Sequence, residues 1–170
     1  MKTLFLLRHA KSSWDDPGCA DFDRPLNNRG QAAALAIGAH IKDKGLIPDL
    51  IISSPSARTR ETLERLQKGM ARQVFSQYPK ILYLASPETI LNTIRTAADS
   101  VARLMIAGHN PGLHQLALSL AGTGARRDID NLSAKYPTGS LLEITFPVDA
   151  WVDIGPGGGR LVRFIKPRGL

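Results

Sequence analysis

The sequence predicts an α/β fold, a three-layer α/β/α sandwich whose central sheet is mostly parallel, with antiparallel strands at its C-terminal edge. Short apolar segments alternate with segments of helical periodicity four times along the chain, an order typical of parallel strands joined by crossover helices. The first segment, residues 3–7, is continuously apolar, as in a strand that is buried on both faces. The last two strand-like segments have no helix between them, so we expect them to pair antiparallel.

The predicted elements follow one another without a linker or an internal repeat. In chain order they are a strand over 3–7, a helix over 28–44, a strand over 49–53, a helix over 55–70, a strand over 80–84, a helix over 87–98, a strand over 103–107, a helix over 111–121, and strands over 140–146 and 160–165.

Three of the helix starts carry the same local signal, a capping side chain followed by proline. The pairs are Ser54-Pro55, Ser86-Pro87 and Asn110-Pro111. A Ser or Asn side chain can accept a hydrogen bond from the first turn, and proline fits the first helical position because it has no N–H to leave unpaired. The glycine-rich run 155–159 lies between strand-like segments and predicts a turn.

Composition and length limit the class of protein that this chain can be. The chain has 170 residues, 43% of them hydrophobic, and a formal net charge of +7. These values are typical of one globular domain over 1–170. There is no apolar run long enough to span a membrane and no secretory leader at Met1, so we expect a cytoplasmic protein that does not bind membranes.

Cysteine content and charge narrow the chemistry further. Cys19 is the only cysteine, which excludes an internal disulfide and a multi-cysteine metal site. The positive charge is compatible with nucleic acid, an acidic lipid surface or a phosphorylated substrate. Part of it lies in the last eleven residues, where we expect an exposed strand and tail without a functional role.

The residues that follow the predicted parallel strands are those of an anion site. Arg8-His9 follows the first strand, residues 53–58 with Arg58 follow the second, and Gly108-His109 ends the fourth. Ligands of open parallel sheets bind at the carboxyl ends of the strands. Two arginines and two histidines should therefore meet at one edge of the sheet.

These residue types suit a phosphoryl group. Arginine offers a planar fork of donors that matches phosphate oxygens. A neutral histidine can attack phosphorus if its other ring nitrogen is held by an oxygen acceptor. We assign His9 as the nucleophile, His109 as a donor to the phosphoryl oxygens, and Ser12 as a further hydrogen-bonding residue.

Other interpretations of these residues remain open at this point. Each arginine alone could pair with a carboxylate, and each histidine alone could cap a strand end, but the set of four together favours a site. His40 and His114 lie within predicted helices and are left out of it. The sequence has no Gly-Lys pair of a P-loop and no paired histidine spacing for a metal, so we expect a mechanism without metal or cofactor.

Three segments together resemble the histidine phosphatase superfamily, which has the phosphoglycerate mutase-like fold. They are Leu7-Arg8-His9-Ala10, Ser54-Pro55-x-x-Arg58-x-x-Glu61-Thr62, and Gly108-His109-Asn110-Pro111-Gly112. The short chain, residues 8–14 and the run Asp23-Arg24-Pro25-Leu26 are similar to the SixA-like branch. The chain departs from the usual pattern at Ala10, where the superfamily has glycine.

The resemblance implies a phosphohistidine intermediate on His9, with Arg8, Arg58 and His109 around the phosphoryl group. It also implies hydrolysis of phosphate monoesters or phosphoramidates, and SixA itself acts on phosphohistidine of phosphorelay domains. We expect a phosphorylated protein as substrate, with a small-molecule phosphomonoesterase as the alternative. A non-catalytic module that binds anions or nucleic acid is more remote, because the sequence has few aromatic residues and no nucleic-acid motif.

The proton donor to the leaving group is less well defined than the anion site. Related enzymes place a glutamate there, and Glu88 is the nearest equivalent, although an acid in the first turn of a helix also stabilises the helix dipole. Asp15 and Asp16 are weaker alternatives. A protonated imidazole leaves phosphorus more readily than an alkoxide, so a phosphohistidine substrate requires less help from an acid.

Overall fold

In the computed structural model, which describes residues 1–170, twelve helices and strands form one seven-stranded sheet with helices on both faces. In chain order they are β1 (Lys2–Arg8), α1 (Asn28–Asp43), β2 (Leu50–Ser53), α2 (Ala57–Met70), β3 (Ser76–Gln77), α3 (Pro87–Arg95), β4 (Arg103–Gly108), α4 (Gly112–Leu120), β5 (Ala121–Gly124), α5 (Arg126–Ala134), β6 (Leu141–Phe146) and β7 (Gly159–Ile165).

The sheet is mixed, and its strand order is β3-β2-β4-β1-β6-β7-β5. The strands β3, β2, β4 and β1 are parallel to one another. β6 pairs antiparallel with β1, and β7 pairs antiparallel with β6. The predicted α/β class and the antiparallel pairing of the last two strands are therefore confirmed.

The core lies in two layers, one on each face of the sheet. Leu4 and Leu6 of β1 point into a cluster shared with α3, α4 and α5, whereas Phe5 and Leu7 point into a cluster shared with α1 and α2. All four side chains are at most 1% exposed. Burial on both faces explains why β1 is continuously apolar.

The predicted strand over 80–84 is wrong. Residues 80–82 form a short 3-10 turn, and β3 lies earlier, at Ser76–Gln77. Ile81 is 60% exposed and Leu84 has a φ of +50°. An apolar run with alternating burial resembles a strand in sequence, but a left-handed leucine cannot continue one.

Two helices begin later than their Xaa-Pro signals indicate. α2 begins at Ala57, with Ser56 rather than Ser54 in the capping position, and α4 begins at Gly112. The start of α3 is as predicted, since Ser86 accepts a hydrogen bond from the Thr89 N–H and Pro87 opens the helix. The later start of α2 leaves the Ser54 side chain to contact the site described below.

The segment between α4 and β6 contains two elements absent from the prediction. β5 pairs parallel to β7 and occupies the outer edge of the sheet, and α5 follows it. No helix of the chain is both long and apolar enough to cross a bilayer.

Candidate active site

His9 follows directly on β1, and its ring is held in one tautomer. Its Nδ1 lies 2.7 Å from the Ala10 carbonyl oxygen. A carbonyl oxygen only accepts, so Nδ1 carries the proton and Nε2 carries the lone pair. The side chain is buried, with 7% of the residue exposed. The predicted oxygen acceptor for the second ring nitrogen is the carbonyl of the neighbouring residue.

Arg58 lies in the first turn of α2 and joins the two histidines. Its Nε is 3.4 Å from His9 Nε2, and its Nη2 is 3.3 Å from His109 Nδ1. The remaining donors reach Asp21, with Nη1 2.7 Å from the carbonyl oxygen and Nη2 3.1 Å from Oδ2. The guanidinium is therefore fixed in the floor of the site.

Arg8 supplies a second guanidinium at the end of β1. Its Nη1 donates to the Tyr136 carbonyl oxygen at 2.9 Å. Its Nε is buried and has no hydrogen-bond partner. An unpaired buried donor is costly, and Arg8 Nε lacks a hydrogen-bond acceptor in the free protein.

His109 follows β4, and its ring centroid lies 5.2 Å from that of His9. Its Nε2 is 2.7 Å from Ser54 Oγ. Since Arg58 Nη2 can only donate, His109 Nδ1 is the acceptor and the proton is on Nε2. To donate from Nδ1 to a phosphoryl oxygen, the His109 ring must therefore carry a second proton. The predicted role of His109 as a donor thus requires its charged imidazolium form.

Both histidines are neutral at pH 7. Burial, followed by the charges of Arg58 and Arg8, lowers the pKa of His9 to about 4 despite the hydrogen bond to Ala10. Burial, His9 and Arg58 lower the pKa of His109 to about 3. A neutral His9 with its lone pair on Nε2 has the form that a nucleophile needs, once the long hydrogen bond from Arg58 Nε to this atom is released.

Ser12 borders the same space and is tied to a second buried arginine. Its Oγ accepts a hydrogen bond from Arg24 Nη1 at 2.7 Å. The hydroxyl proton of Ser12 remains available as a donor. Arg24 also donates from Nε to Asp21 Oδ1 at 3.2 Å, so the loop after β1 is fixed by one side chain.

Asp21 is a residue of this region that the sequence does not single out. Its carboxylate contacts Arg58 and Arg24 and accepts from the Tyr83 hydroxyl. The hydrogen bond from Tyr83, with the two arginines, lowers the pKa of Asp21 to about 2. The carboxylate is therefore ionised. Its local sequence does not predict the contacts with Arg58 and Tyr83, because these residues belong to α2 and to the loop before α3.

These side chains surround a cavity of about 230 Å³ at the carboxyl ends of the parallel strands. No carboxylate lines it. The lining residues are Arg8, His9, Lys11, Ser12, Trp14, Arg24, Arg58, Leu84, His109, Asn110 and Thr138.

The three predicted proton donors lie outside this lining. Glu88 is exposed in the first turn of α3, and Asp15 and Asp16 are exposed in the loop after β1. The role of Glu88 as an acid stays a prediction. His40 and His114 also lie outside the lining, and His114 Nε2 donates instead to the Leu132 carbonyl oxygen at 2.6 Å.

A larger cleft, of about 510 Å³, lies at the opposite end of the sheet. Asp49 and Arg103, at the N-terminal ends of β2 and β4, are part of its lining, together with Arg72 and Phe75. It contains no histidine, serine or cysteine. Volume alone would favour this cleft, but the groups capable of phosphoryl chemistry are all at the smaller one.

Comparison with known proteins identifies relatives along almost the whole chain. Residues 4–77 match the model of the histidine phosphatase superfamily, branch 1. An uncharacterized protein of Mycobacterium tuberculosis is 34% identical over 95% of this chain and 100% of its own. An uncharacterized chloroplastic protein of Arabidopsis thaliana is 32% identical over 98% of this chain and 78% of its own.

The fold is shared with a solved structure from Agrobacterium tumefaciens, described as a candidate phosphohistidine phosphatase SixA. The two are 32% identical, each chain is covered to 98%, and the TM-score is 0.82. Fold, site and relatives together define the chain as a phosphatase. It belongs to the histidine phosphatase superfamily, and its structural neighbours are SixA-like.

Proposed function

We propose that the chain hydrolyses the phosphoramidate bond of phosphohistidine in proteins, through a phosphohistidine intermediate on His9. The observation that carries this proposal is a cavity in which the lone pair of His9 Nε2 lies among arginines and no carboxylic acid lines the walls. The similarity to the SixA protein of Agrobacterium tumefaciens supports the same substrate class.

In the first step the lone pair of His9 Nε2 forms a bond to phosphorus as the N–P bond of the substrate breaks. The electron pair of that bond returns to the substrate imidazole, which leaves as a neutral ring when its other nitrogen already carries a proton. As His9 attacks, the N–H of Arg58 Nε moves from His9 Nε2 to an equatorial oxygen, and Arg8, which lines the same cavity, adds a second positive charge beside these oxygens.

In the second step water attacks phosphorus and the bond to His9 Nε2 breaks. The electron pair returns to Nε2, one water proton passes to solvent or to a phosphate oxygen, and inorganic phosphate is released. The hydrogen bond from His9 Nδ1 to the Ala10 carbonyl stabilises the phosphorylated ring, which carries positive charge.

The leaving group distinguishes this activity from ester hydrolysis. An alkoxide requires a proton from a neutral acid, whereas the carboxylate closest to Arg58, that of Asp21, is held ionised with a pKa of about 2. An ionised carboxylate cannot donate a proton, but it favours a substrate imidazole that is already protonated, and therefore positively charged, before the N–P bond breaks. The electrostatics of the site therefore favour an imidazole leaving group.

The test is a comparison of rates on a histidine-phosphorylated protein, on phosphoimidazole and on glycerol 3-phosphate, an alkyl ester whose alkoxide requires a proton to leave. We expect kcat/KM to be at least 100-fold higher for the two phosphoramidates than for the ester. His9→Ala should abolish all turnover, and a slow substrate should leave an acid-labile, base-stable label on the wild-type chain only. A higher rate on the ester would favour the phosphomonoesterase, and normal turnover by His9→Ala would refute the proposal.

The predicted acid has its own test, the variant Glu88→Gln. General acid catalysis typically contributes about 10²–10⁴-fold, so loss of a proton donor should reduce ester hydrolysis by at least tenfold and affect phosphoimidazole less. Equal rates of the variant and the wild type on the ester would exclude Glu88 as the acid.

A further inference from the structure

Two large apolar side chains are exposed at the mouth of the catalytic cavity. Trp14 is 72% exposed and Leu84 is 55% exposed, and both line the same cavity as His9. Single exposed apolar residues are common in folded proteins. Two of them bordering one catalytic cavity are more informative, because apolar groups around a functional site are typical of an interaction surface.

Both side chains are held in their exposed positions. The guanidinium of Arg24 lies 3.5 Å from the centroid of the Trp14 ring, and Arg24 is itself buried and hydrogen-bonded to Ser12. Leu84 has a φ of +50°, a left-handed conformation that a leucine rarely adopts. Unfavourable backbone conformations of this kind occur preferentially at functional sites.

The C-terminal turn packs beside another part of the mouth and carries two basic residues, of which Lys166 has its Nζ 5.6 Å from the centroid of the Phe164 ring. Pro167 packs so closely on Gly139 that a Cβ there would lie 2.8 Å from the proline ring and 3.9 Å from the Ala10 Cα. Gly139 directly follows Thr138 of the cavity lining. Lys166 and Arg168 flank this proline, and neither pairs with a carboxylate.

The catalytic groups do not require any of these features. The phosphoryl group is expected to contact Arg8, Arg58 and the two histidines, all deeper in the cavity, so a small substrate would gain little from Trp14 or Arg168. Aromatic side chains and arginine are enriched at protein interfaces.

We propose that the docking surface, defined as Trp14, Leu84, Lys166 and Arg168, binds an acidic protein that carries the phosphorylated side chain. This inference rests on the proposed function and names the recognition surface of its substrate. The partner should place an apolar patch beside the phosphohistidine and acidic residues opposite the C-terminal turn. The net charge of +7 favours such a partner at long range.

A nucleic acid fits the same surface less well. Asp15 and Asp16 directly follow Trp14 and are exposed, so they would repel phosphates that approach the apolar side of the mouth. An acidic protein can orient its charge toward Lys166 and Arg168 and its apolar patch toward Trp14. The sides of the mouth thus differ in a way that a uniform polyanion does not match.

The experiment compares the wild-type chain with two double variants on two substrates. The probes are a histidine-phosphorylated phosphorelay domain of acidic charge and phosphoimidazole. One docking double variant combines Trp14→Ala with Leu84→Asn, and the other, the charge-reversed variant, combines Lys166→Glu with Arg168→Glu. Asparagine is chosen at position 84 because it tolerates a left-handed backbone. The matched controls are Phe75→Ala and Arg72→Glu, at the opposite cleft, where Phe75 is 71% exposed.

We expect each double variant to raise KM for the protein substrate at least tenfold, and the controls to leave it unchanged. The charge-reversed variant changes residues outside the cavity lining, so its kcat and its rate on phosphoimidazole should stay within twofold of wild type. Unchanged kinetics of both double variants on the protein substrate, or equal losses of the charge-reversed variant on both substrates, would overturn the proposal. Failure of the wild type to hydrolyse either phosphoramidate would instead refute the proposed function.

Discussion

Each histidine of the site is held in one tautomer and is hydrogen-bonded to one oxygen atom, and the two oxygen partners differ in how far the sequence predicts them. The partner of His9 is the carbonyl of the next residue, at 2.7 Å. The partner of His109 is Ser54 Oγ, also at 2.7 Å, which is 55 positions away. The sequence predicts that an oxygen atom holds one ring nitrogen of His9, but not which residue supplies it. It does not predict that Arg58 donates to His109 Nδ1 and so sets the proton on Nε2.

The lowered pKa values of the histidines make stability depend on pH. His9 and His109 have pKa values of about 4 and about 3 when folded, against about 6.5 for an unfolded chain. Below pH 6.5 the unfolded chain therefore binds more protons, and the free energy of unfolding should fall as the pH drops toward 4. Each histidine contributes a slope of at most about 1.4 kcal/mol per pH unit, and neither contributes above pH 7.

Guanidinium unfolding at pH 7, 6, 5 and 4 measures this slope, and His109→Gln serves as the comparison because glutamine can still donate to Ser54. The variant should show a shallower slope than the wild type. Asp21, with a pKa of about 2, stabilises the fold above about pH 4 and loses this effect only at lower pH, so the two contributions separate. A flat profile between pH 7 and 5 would contradict the assignment of neutral buried histidines.

At the scale of secondary structure, the elements that bury two faces are those the sequence predicts well. β1, β2 and β4 are near-continuous apolar runs because helices cover both faces of the sheet. β5 has the sequence Ala-Gly-Thr-Gly and exists because it pairs with β7. Only Leu132 of α5 is buried. Such elements depend on tertiary contacts, so local propensity does not show them.

The crossing of α1 and α2 depends on two glycines. A Cβ at Gly38 would lie 2.1 Å from the Leu66 carbonyl oxygen, and one at Gly69 would lie 2.2 Å from the Leu35 carbonyl oxygen. Gly38→Ala should gain about 1 kcal/mol of helix propensity but lose about 1–3 kcal/mol to overpacking. Because the clash is with backbone, the loss should dominate, and we expect net destabilisation of about 1–2 kcal/mol.

The same substitution should reduce kcat/KM, because α2 carries Arg58 and its Thr62 Oγ1 accepts from the Ala10 N–H at 3.0 Å. Thermal unfolding and phosphoimidazole kinetics measure the two effects. The control is Gly169→Ala, where nothing lies within 4 Å of the added Cβ and no change is expected. A Gly38→Ala protein more stable than the wild type would show that the helices can separate without cost.

At the scale of the whole molecule, the topology explains how distant residues meet. β1, β4 and β2 are adjacent and parallel, so Arg8-His9, Gly108-His109 and Ser53-Ser54 end at one edge of the sheet. The rule that ligands bind at the carboxyl ends of parallel strands anticipates this meeting. Asp21 and Tyr83 lie outside the rule, because both belong to connections whose paths no sequence pattern defines.

Because the site draws its groups from β1, α2 and the end of β4, a bound oxyanion should stabilise the fold as a whole. A ligand at 100 times its Kd raises the free energy of unfolding by about 2.7 kcal/mol. We expect inorganic phosphate or tungstate to raise the Tm of the wild type, and Arg58→Gln to lose most of this shift. Arg72→Gln, at the opposite cleft, should retain it. Equal shifts in both variants would place the anion elsewhere.

Binding of the anion should also take up a proton. His109 Nδ1 accepts from Arg58 in the free protein and is neutral, with a pKa of about 3. A nearby dianion favours the charged imidazolium, which raises this pKa and converts Nδ1 into a donor. The affinity for phosphate should therefore fall as the pH rises from 7 to 9, beyond what the ionisation of phosphate itself explains. Calorimetry in two buffers of different ionisation enthalpy measures the proton count directly, and uptake that persists unchanged in His109→Gln would assign the proton to another group.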